Sequence, residues 1–335
     1  MDTTKPFPIL RLPYLAIEEI FKAMHPFEII NFSLISKRSK QVTKRMTFYP
    51  KYTVVLSIDK NLEIEIRGTN EKISYSYVMT SDEELGRVIK QWKKDDFFKL
   101  KIYKYSKNTI ERFQILCKYV LEVFKRQNID ILSMYMDESV DHNVSIIDFL
   151  KTNEISVDGC YLFHTDSDIN VDEHAAYLLK NIKTNDLMYF FLHINNENID
   201  LKFPKGLKKL EMVKSQWIGY ERLLEIDSAQ VILGTNQFSN KDWNAFFKKW
   251  IAMEAHLNLE FLDFEFKSME EFKEFALHDI PYEEVDKAVK RIMKTSNDGP
   301  IEINGGIDIR RIDGKTATFS VRHTSLWDDC LVFIH

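Results

Sequence analysis

Phe7-Pro8-Ile9-Leu10-Arg11-Leu12-Pro13-Tyr14-Leu15-Ala16-Ile17-Glu18-Glu19-Ile20-Phe21 is followed, four residues later, by Pro26-Phe27-Glu28-Ile29-Ile30-Asn31-Phe32-Ser33-Leu34-Ile35-Ser36-Lys37-Arg38. Leu15, Ile17, Ile20, Phe21 and Met24 recur mostly at helical spacing, as on one face of an α-helix. Pro13 suits a first-turn position, where its missing N–H would have no partner anyway. Pro26 discourages continuation of the helix. A second apolar run, Ile29, Ile30, Phe32, Leu34 and Ile35, ends at Lys37, Arg38 and Lys40. Two or three short helices therefore carry more apolar surface than they can bury among themselves. A segment below about 40 residues seldom stands without a metal, a disulfide or a partner. No Cys lies in this one, so its apolar face is expected to meet another protein.

Apolar residues make up 44% and charged residues 29% of the 335. That is the composition of a folded globular chain, with room for one to three domains. Lys plus Arg is 46 against 51 Asp plus Glu, a net charge of −5. This balance argues against nucleic acid as a main partner, since phosphate binding needs clustered positive charge. The best basic cluster, Lys37, Arg38, Lys40, Lys44 and Arg45, reads as the solvated end of the N-terminal helices. Cys117, Cys160 and Cys330 are far apart, with no CxxC pair, so neither a disulfide scaffold nor a zinc ribbon is supported. A reducing intracellular compartment, cytoplasmic or nuclear, fits. Met1-Asp2-Thr3-Thr4-Lys5-Pro6 contains no apolar signal core, and no apolar run reaches membrane-spanning length, so no membrane partner is expected.

Beyond the helices, Tyr52 to Ile58 is β-branched and apolar, and Leu62, Ile64 and Ile66 alternate with Glu63, Glu65 and Arg67. Ile73 to Val78 alternates again, so a small antiparallel sheet is expected at 52–79. Helices follow at 83–92 and, more firmly, at 110–126, where Phe113, Leu116, Cys117, Val120, Leu121 and Phe124 share a face. From residue 128 strands and helices alternate. Strands are expected at 129–136, 154–162, 187–194, 207–213, 229–233 and 257–264, with helices at 146–151, 172–182, 220–224 and 240–251. Strand starts roughly 20 to 30 residues apart suit a leucine-rich-repeat-like α/β solenoid of irregular consensus, and a doubly wound sheet is the alternative. Helices are also expected at 268–277 and 281–292. Asp313-Gly314 then signals a type I′ hairpin between strands at 307–312 and 316–322, with 331–334 alongside, a β cap of the kind such arrays need. The domains read as 1–50, helical; 51–127, a linking module; and 128–335, the α/β body.

Asp166-x-Asp168-x-Asn170-x-Asp172 has the early spacing of a calcium loop, but Val171 stands where Gly is needed and Tyr177 where a bidentate Glu is needed. Asp172 reads more simply as the N-cap of the following helix. There is no HExxH, GxSxG, P-loop or GxGxxG, and Gly305-Gly306 reads as a turn. No cofactor and no catalysis are expected. Trp217, Trp243, Trp250 and Trp327 read as packing residues, among which a partner anchor could hide.

The N-terminal stretch resembles an F-box: Phe7-Pro8-Ile9-Leu10-x-Leu12-Pro13, Ile17-x-x-Ile20-Phe21 and Ser33-Leu34-Ile35-Ser36-Lys37-Arg38. Many F-boxes place a Trp after the last helix; here Phe48 or Tyr49 stands near that place. The whole chain is similar to nematode F-box proteins with a type-2 F-box-associated region. Leu257-x-Leu259-x-Phe261 and Asp308-Ile309-Arg310-Arg311-Ile312-Asp313-Gly314-Lys315-x-Ala317-Thr318 add to the likeness. The resemblance implies a substrate-recognition adaptor of a Skp/cullin/F-box ubiquitin ligase. Pro8, Leu10, Leu12, Pro13, Ile20, Phe21 and Leu34 would bind a Skp-type adaptor and through it a cullin scaffold. The C-terminal region would hold a protein substrate whose contact residues one sequence does not reveal. A repeat scaffold without ligase function and an α/β enzyme with an unrecognised site are the competing readings. Elemental analysis of the purified protein is expected to find no stoichiometric zinc or calcium.

Overall fold

Proline and capping residues set the helix boundaries. α1 (Tyr14–Ala23) starts directly after Pro13, which is its N-cap. α2 (Pro26–Leu34) takes Pro26 in its first turn, where no N–H is missed. His25 caps α2: its ring accepts from the Glu28 N–H while the Glu28 carboxylate accepts from the His25 N–H. α3 (Lys37–Met46) follows. The structure is a computed structural model that describes residues 9–46, 52–68, 72–295, 299–323 and 328–335. Pro8, Phe48, Tyr49 and Trp327 lie outside the described residues.

The chain forms two compact units, Met1–Ser133 with Asp148–Ser156, and Met134–Ile147 with Val157–His335. In the first, β1 (Tyr52–Ile58), β2 (Leu62–Gly68) and β3 (Ile73–Thr80) pair antiparallel, as alternation foretold. The helix expected at 83–92 is absent. In its place are a single 3-10 turn at Leu85–Arg87 and the strand β4 (Ile89–Lys94). β5 (Phe97–Tyr105), which the sequence reading missed, pairs parallel to β3 and antiparallel to β4. The order is β1-β2-β3-β5-β4. α4 (Thr109–Val123) is capped by Asn108, whose side chain accepts from the Glu111 N–H. It buries Phe113, Cys117, Val120 and Leu121, the face that periodicity picked out.

β6 (Asn128–Tyr135) and α5 (Val140–Thr152) lead into β7 (Ser156–Phe163), α6 (Asp172–Asn181) and β8 (Thr184–Phe191). Then come β9 (Leu207–Lys214), α7 (Tyr220–Glu225), β10 (Ser228–Thr235), α8 (Asn240–Ile251) and β11 (Phe261–Phe266). In the second unit β7 to β11 pair parallel in chain order, each crossover advancing one place in the same direction. A doubly wound sheet would reverse direction and open a crevice at the reversal. The arrangement is therefore solenoid-like. Met188, Phe190, Leu210, Met212, Val231, Leu233 and Phe264 are buried alternate strand positions, and α8 supplies Trp243, Phe246, Phe247 and Trp250 to the core. Cys117, Cys160 and Cys330 are free thiols, all buried.

In the tail the first expected helix, at 268–277, is present as α9 (Met269–Glu271) continued by a π turn at Phe272–Ala276. The second, at 281–292, is the strand β12 (Tyr282–Met293), paired with β13 (Ile301–Arg310) across a bulge between Val285 and Lys290. Val285, Ala288, Val289 and Ile292 have helical spacing, but the strand is exposed on both faces, so no alternation betrays it. β14 (Thr316–His323) and β15 (Asp328–Ile334) complete an antiparallel run that joins β11 through β15. The β13–β14 turn is not type I′, which needs positive φ at both central residues. Only Gly314 of Asp313-Gly314 has positive φ, at 92°, and its N–H closes a turn onto the Arg311 carbonyl at 2.9 Å.

Trp243 lies stacked on Phe264 with ring centroids 3.9 Å apart and has Phe238, Phe246 and Phe247 around it. Trp243→Ala is expected to lower unfolding free energy in urea by about 3–5 kcal/mol, the usual cost of an aromatic cavity.

Candidate functional site

The helices α1 to α3 divide their apolar residues between two sides. Inward, Ile17, Phe21, Phe27, Ile29, Ile30 and Met46 are buried. The Phe27 ring sits 4.5 Å from Tyr77 and 5.4 Å from Tyr75 of β3, and the His25 ring stacks on Tyr75 at 5.1 Å. Ser33 Oγ and the Tyr119 hydroxyl of α4 are 2.8 Å apart. Lys40 and Lys44 both reach Glu122, at 2.7 and 3.3 Å, and these cations hold its carboxyl below the usual range, Lys40 most. Two members of the basic cluster are thus spent on α4. The surplus apolar surface meets this chain's own sheet and helix on one side, where the sequence reading assigned all of it to a partner.

The outward side remains open. Leu34 and Ile35 are 61% and 73% exposed, Leu15 73% and Tyr14 57%, and Pro13 is exposed beside half-buried Leu10 and Leu12. Arg38 closes toward the lead segment, its guanidinium 3.5 Å from the Leu10 carbonyl. Of the residues expected to bind an adaptor, Leu10, Leu12, Pro13 and Leu34 face outward in whole or part, and Ile20 is half-buried. Phe21 is buried, edge-on to Phe32 at 5.5 Å. Tyr14, Leu15 and Ile35 are exposed as well, Leu15 lying two residues from buried Ile17 and so on the opposite side of the helix.

In the second unit the strand face turned away from the helices is aromatic. Tyr135 stacks on Phe163 at 4.9 Å, Tyr161 neighbours Tyr189 at 5.9 Å, and the Lys214 ammonium lies 5.1 Å from the Phe191 ring centroid. All five rings are half-buried. Beyond them Glu211 pairs with Lys209 at 3.1 Å. Arg322 bridges Asp263 and Asp329, each at 2.7 Å. Burial pushes Asp263 up to about 6 in spite of that guanidinium. Met293 and Ile303 of β12 and β13 cover the same face at Phe261, Leu331 and Phe333.

Polar groups at the carboxyl ends of the strands are spent on holding one another. The Asp137 carboxylate accepts from the Thr165 N–H and hydroxyl and the Asp166 N–H, at 3.0, 2.6 and 2.8 Å. Asp172 accepts from the Asn195 and Asn196 N–H groups, so it latches the loop after β8; the N-cap of α6 is Val171. His164 Nδ1 accepts from the His193 N–H, Ser215 donates to the Thr235 carbonyl, and Asn236 donates to the Glu265 carbonyl. Enzymes with open α/β sheets work at these strand ends. Here the carboxylates and imidazole that could have done so join loop to loop. Among the described residues no group of His, Cys, Asp or Glu could hold a metal ion. At the opposite strand ends a hollow of about 610 Å³ is lined in part by Phe203, Arg222, Asp227 and His256. Burial pushes His256 down to about 4, leaving it neutral at pH 7, and no hydroxyl or thiol nucleophile lines the hollow.

Burial works to raise the Asp137 carboxyl, but its hydrogen bonds from Thr165 and Asp166 outweigh burial and hold it below the usual range. A depressed folded-state value contributes stability above the unfolded value, near 3.9, that is lost as pH falls through the folded one. Asp137→Asn should therefore cost about 1–3 kcal/mol at pH 7, and the gap from the native protein should close below about pH 4 in denaturant titrations.

Comparison with known proteins matches residues 9–51 to the F-box domain and residues 198–264 to the F-box associated family. The second match contains Leu257-x-Leu259-x-Phe261; the tail stretch at 308–318 falls outside it. Skn-1 dependent zygotic transcript 15 protein of Caenorhabditis elegans is 20% identical over 347 residues, 95% of each chain. An uncharacterized protein of the same nematode is 28% identical over 127 residues, 38% of this chain and 30% of its own. No solved structure matches. The matched families act by binding rather than by catalysis. No helix among the described residues is long and apolar enough to cross a membrane.

Proposed function

We infer that this chain, which carries an F-box and an F-box associated region, is the substrate-recognition subunit of a Skp/cullin/F-box ubiquitin ligase. The observation that carries the reading is the exposure of Leu15, Leu34 and Ile35, and of Pro13 after half-buried Leu12, on helices whose other side is already filled by Tyr75, Tyr77 and Tyr119. An exposed apolar patch on a firmly seated base marks a protein contact. A Skp-type adaptor would cover it and bring a cullin scaffold.

The α/β body, read as leucine-rich-repeat-like with β12 to β15 as its terminal cap, would hold the protein substrate. Its uncovered aromatic face at Tyr161, Phe163, Tyr189 and Phe191 suits that role, because rigid half-buried rings supply contact area at low entropic cost. The residues that bind would divide as 1–50 for the adaptor, 51–127 as the connecting module and 128–335 for the substrate, in a cytoplasmic or nuclear setting. No side chain performs chemistry in this scheme. Tethering a substrate lysine near a charged ubiquitin-conjugating enzyme raises its effective concentration.

Point variants of the whole chain test both halves, since deleting 1–50 would bare Tyr75 and Tyr77. Leu12→Ala with Pro13→Ala, and separately Leu34→Ser with Ile35→Ser, should each weaken co-purification with a Skp-type adaptor by about tenfold or more. Proximity labelling should show Phe163→Ala with Tyr189→Ala losing partners other than ligase subunits while adaptor binding persists. Adaptor binding unchanged by both N-terminal pairs would leave a non-ligase repeat scaffold as the reading.

A further inference from the structure

Two strands stand at sheet edges, one in each unit, and they are built differently. β12 carries charges of both signs, and its register breaks at a bulge. Four of its six charges are matched: Glu283 with Arg310, Glu284 with Lys273, Lys290 with Glu302, Arg291 with Asp308. A bulge and paired mixed charges are how proteins blunt an edge against added strands. β4, Ile89-Lys90-Gln91-Trp92-Lys93-Lys94, pairs with β5 over all six residues without a register shift, and every one of its side chains is exposed. Lys90, Lys93 and Lys94 have no ion-pair partner among the described residues. Residues 87–107 hold eight basic and two acidic side chains, net +6, in a chain whose net charge is −5.

The outward backbone groups follow from the pairing. Tyr103 N–H donates to the Val88 carbonyl, at 3.2 Å, one step beyond the Ile89–Ile102 pair. Hydrogen-bonded and non-bonded pairs alternate in an antiparallel ladder. Lys90, Trp92 and Lys94 therefore bond to β5, and the N–H and C=O groups of Ile89, Gln91 and Lys93 point away from it. On one face of β4 lie Lys90, Trp92 and Lys94, cation, indole, cation. The 52%-exposed Trp92 also borders a hollow of about 220 Å³ with Phe97, Phe98 and Lys99.

We propose that β4 is a docking edge for an extended acidic peptide of a protein partner, which adds as a further strand and sets acidic, apolar and acidic side chains in alternate positions against Lys90, Trp92 and Lys94. The backbone edge supplies the pairing and the two ammonium groups select the sign of charge. Single-stranded nucleic acid would use the lysines and Trp92 but not the edge hydrogen bonds, so the edge favours the peptide. Strands of like charge are repelled, which leaves the edge closed to other copies of itself. The site shares no residue with the N-terminal helices, and the proposal does not depend on the ligase reading.

The test uses the purified full chain without any ligase component and a fluorescent peptide with the core Glu-Thr-Val-Thr-Glu. Fluorescence anisotropy should show binding that weakens with added salt and a Lys-Thr-Val-Thr-Lys peptide that does not bind. Gln91→Pro removes an outward N–H while sparing the bonds to β5, and should weaken binding by about tenfold. Lys90→Glu with Lys94→Glu should reverse the preference between the two peptides. Circular dichroism of each variant checks the fold. Unchanged affinity in Gln91→Pro, tighter binding of a single-stranded oligonucleotide that the acidic peptide cannot displace, or no binding of the acidic peptide at all would each overturn the proposal.

Discussion

The seating of Phe27 between Tyr75 and Tyr77 decides how the N-terminal helices are used. Three short helices with this much apolar surface must bury one side to exist at all. By giving Phe27, Ile29 and Ile30 to the chain's own sheet and Ser33 to Tyr119, the fold turns the remaining residues, Leu15, Leu34 and Ile35, outward on a fixed base. The lysines of α3 reinforce that choice through Glu122. A patch held this way is preorganised, so a partner need not spend binding energy ordering it.

A different constraint governs the second unit. Parallel strands joined by crossovers leave loops at their ends whose backbone groups must find partners. Asp137, Asp172, His164, Ser215 and Asn236 each reach across one crossover to the loop or carbonyl of the next strand. These bonds make each strand–loop unit depend on its neighbour, as in stacked repeats. They commit these side chains, in a stretch rich in Asp, Asn and His, to backbone N–H and C=O groups. The connection from β8 to β9 contains no helix, so the repeats are uneven although their strands advance in order.

The two edges show how one problem can be solved in opposite ways. β12 is bulged and most of its charges are paired, whereas β4 is regular and its lysines have no ion-pair partner among the described residues. Both were mistaken for helices, and for one reason. Strand alternation arises when one face is buried and the other wet. A strand wet on both faces has no such alternation, and chance spacing of Val285, Ala288, Val289 and Ile292 then imitates a helix.

Where burial is one-sided, local pattern determined the structure. The alternation at Leu62, Ile64 and Ile66, the face of α4 and the strands and helices from β6 to β11 were legible from residue spacing, although the first half of α5, before residue 146, was not. The Leu12-Pro13 start and Ser33-Leu34-Ile35-Ser36-Lys37 marked the N-terminal domain through residue identity at fixed distances. Tertiary structure alone decided which apolar side chains face out. Phe21 and Leu34 are equally apolar in the sequence, yet one lies against Phe32 and the other in solvent. It alone set the one-way strand order, because crossover direction depends on packing between elements distant in the chain. It alone gave Asp172 to the loop after β8, since a carboxylate chooses among donors that only folding brings near.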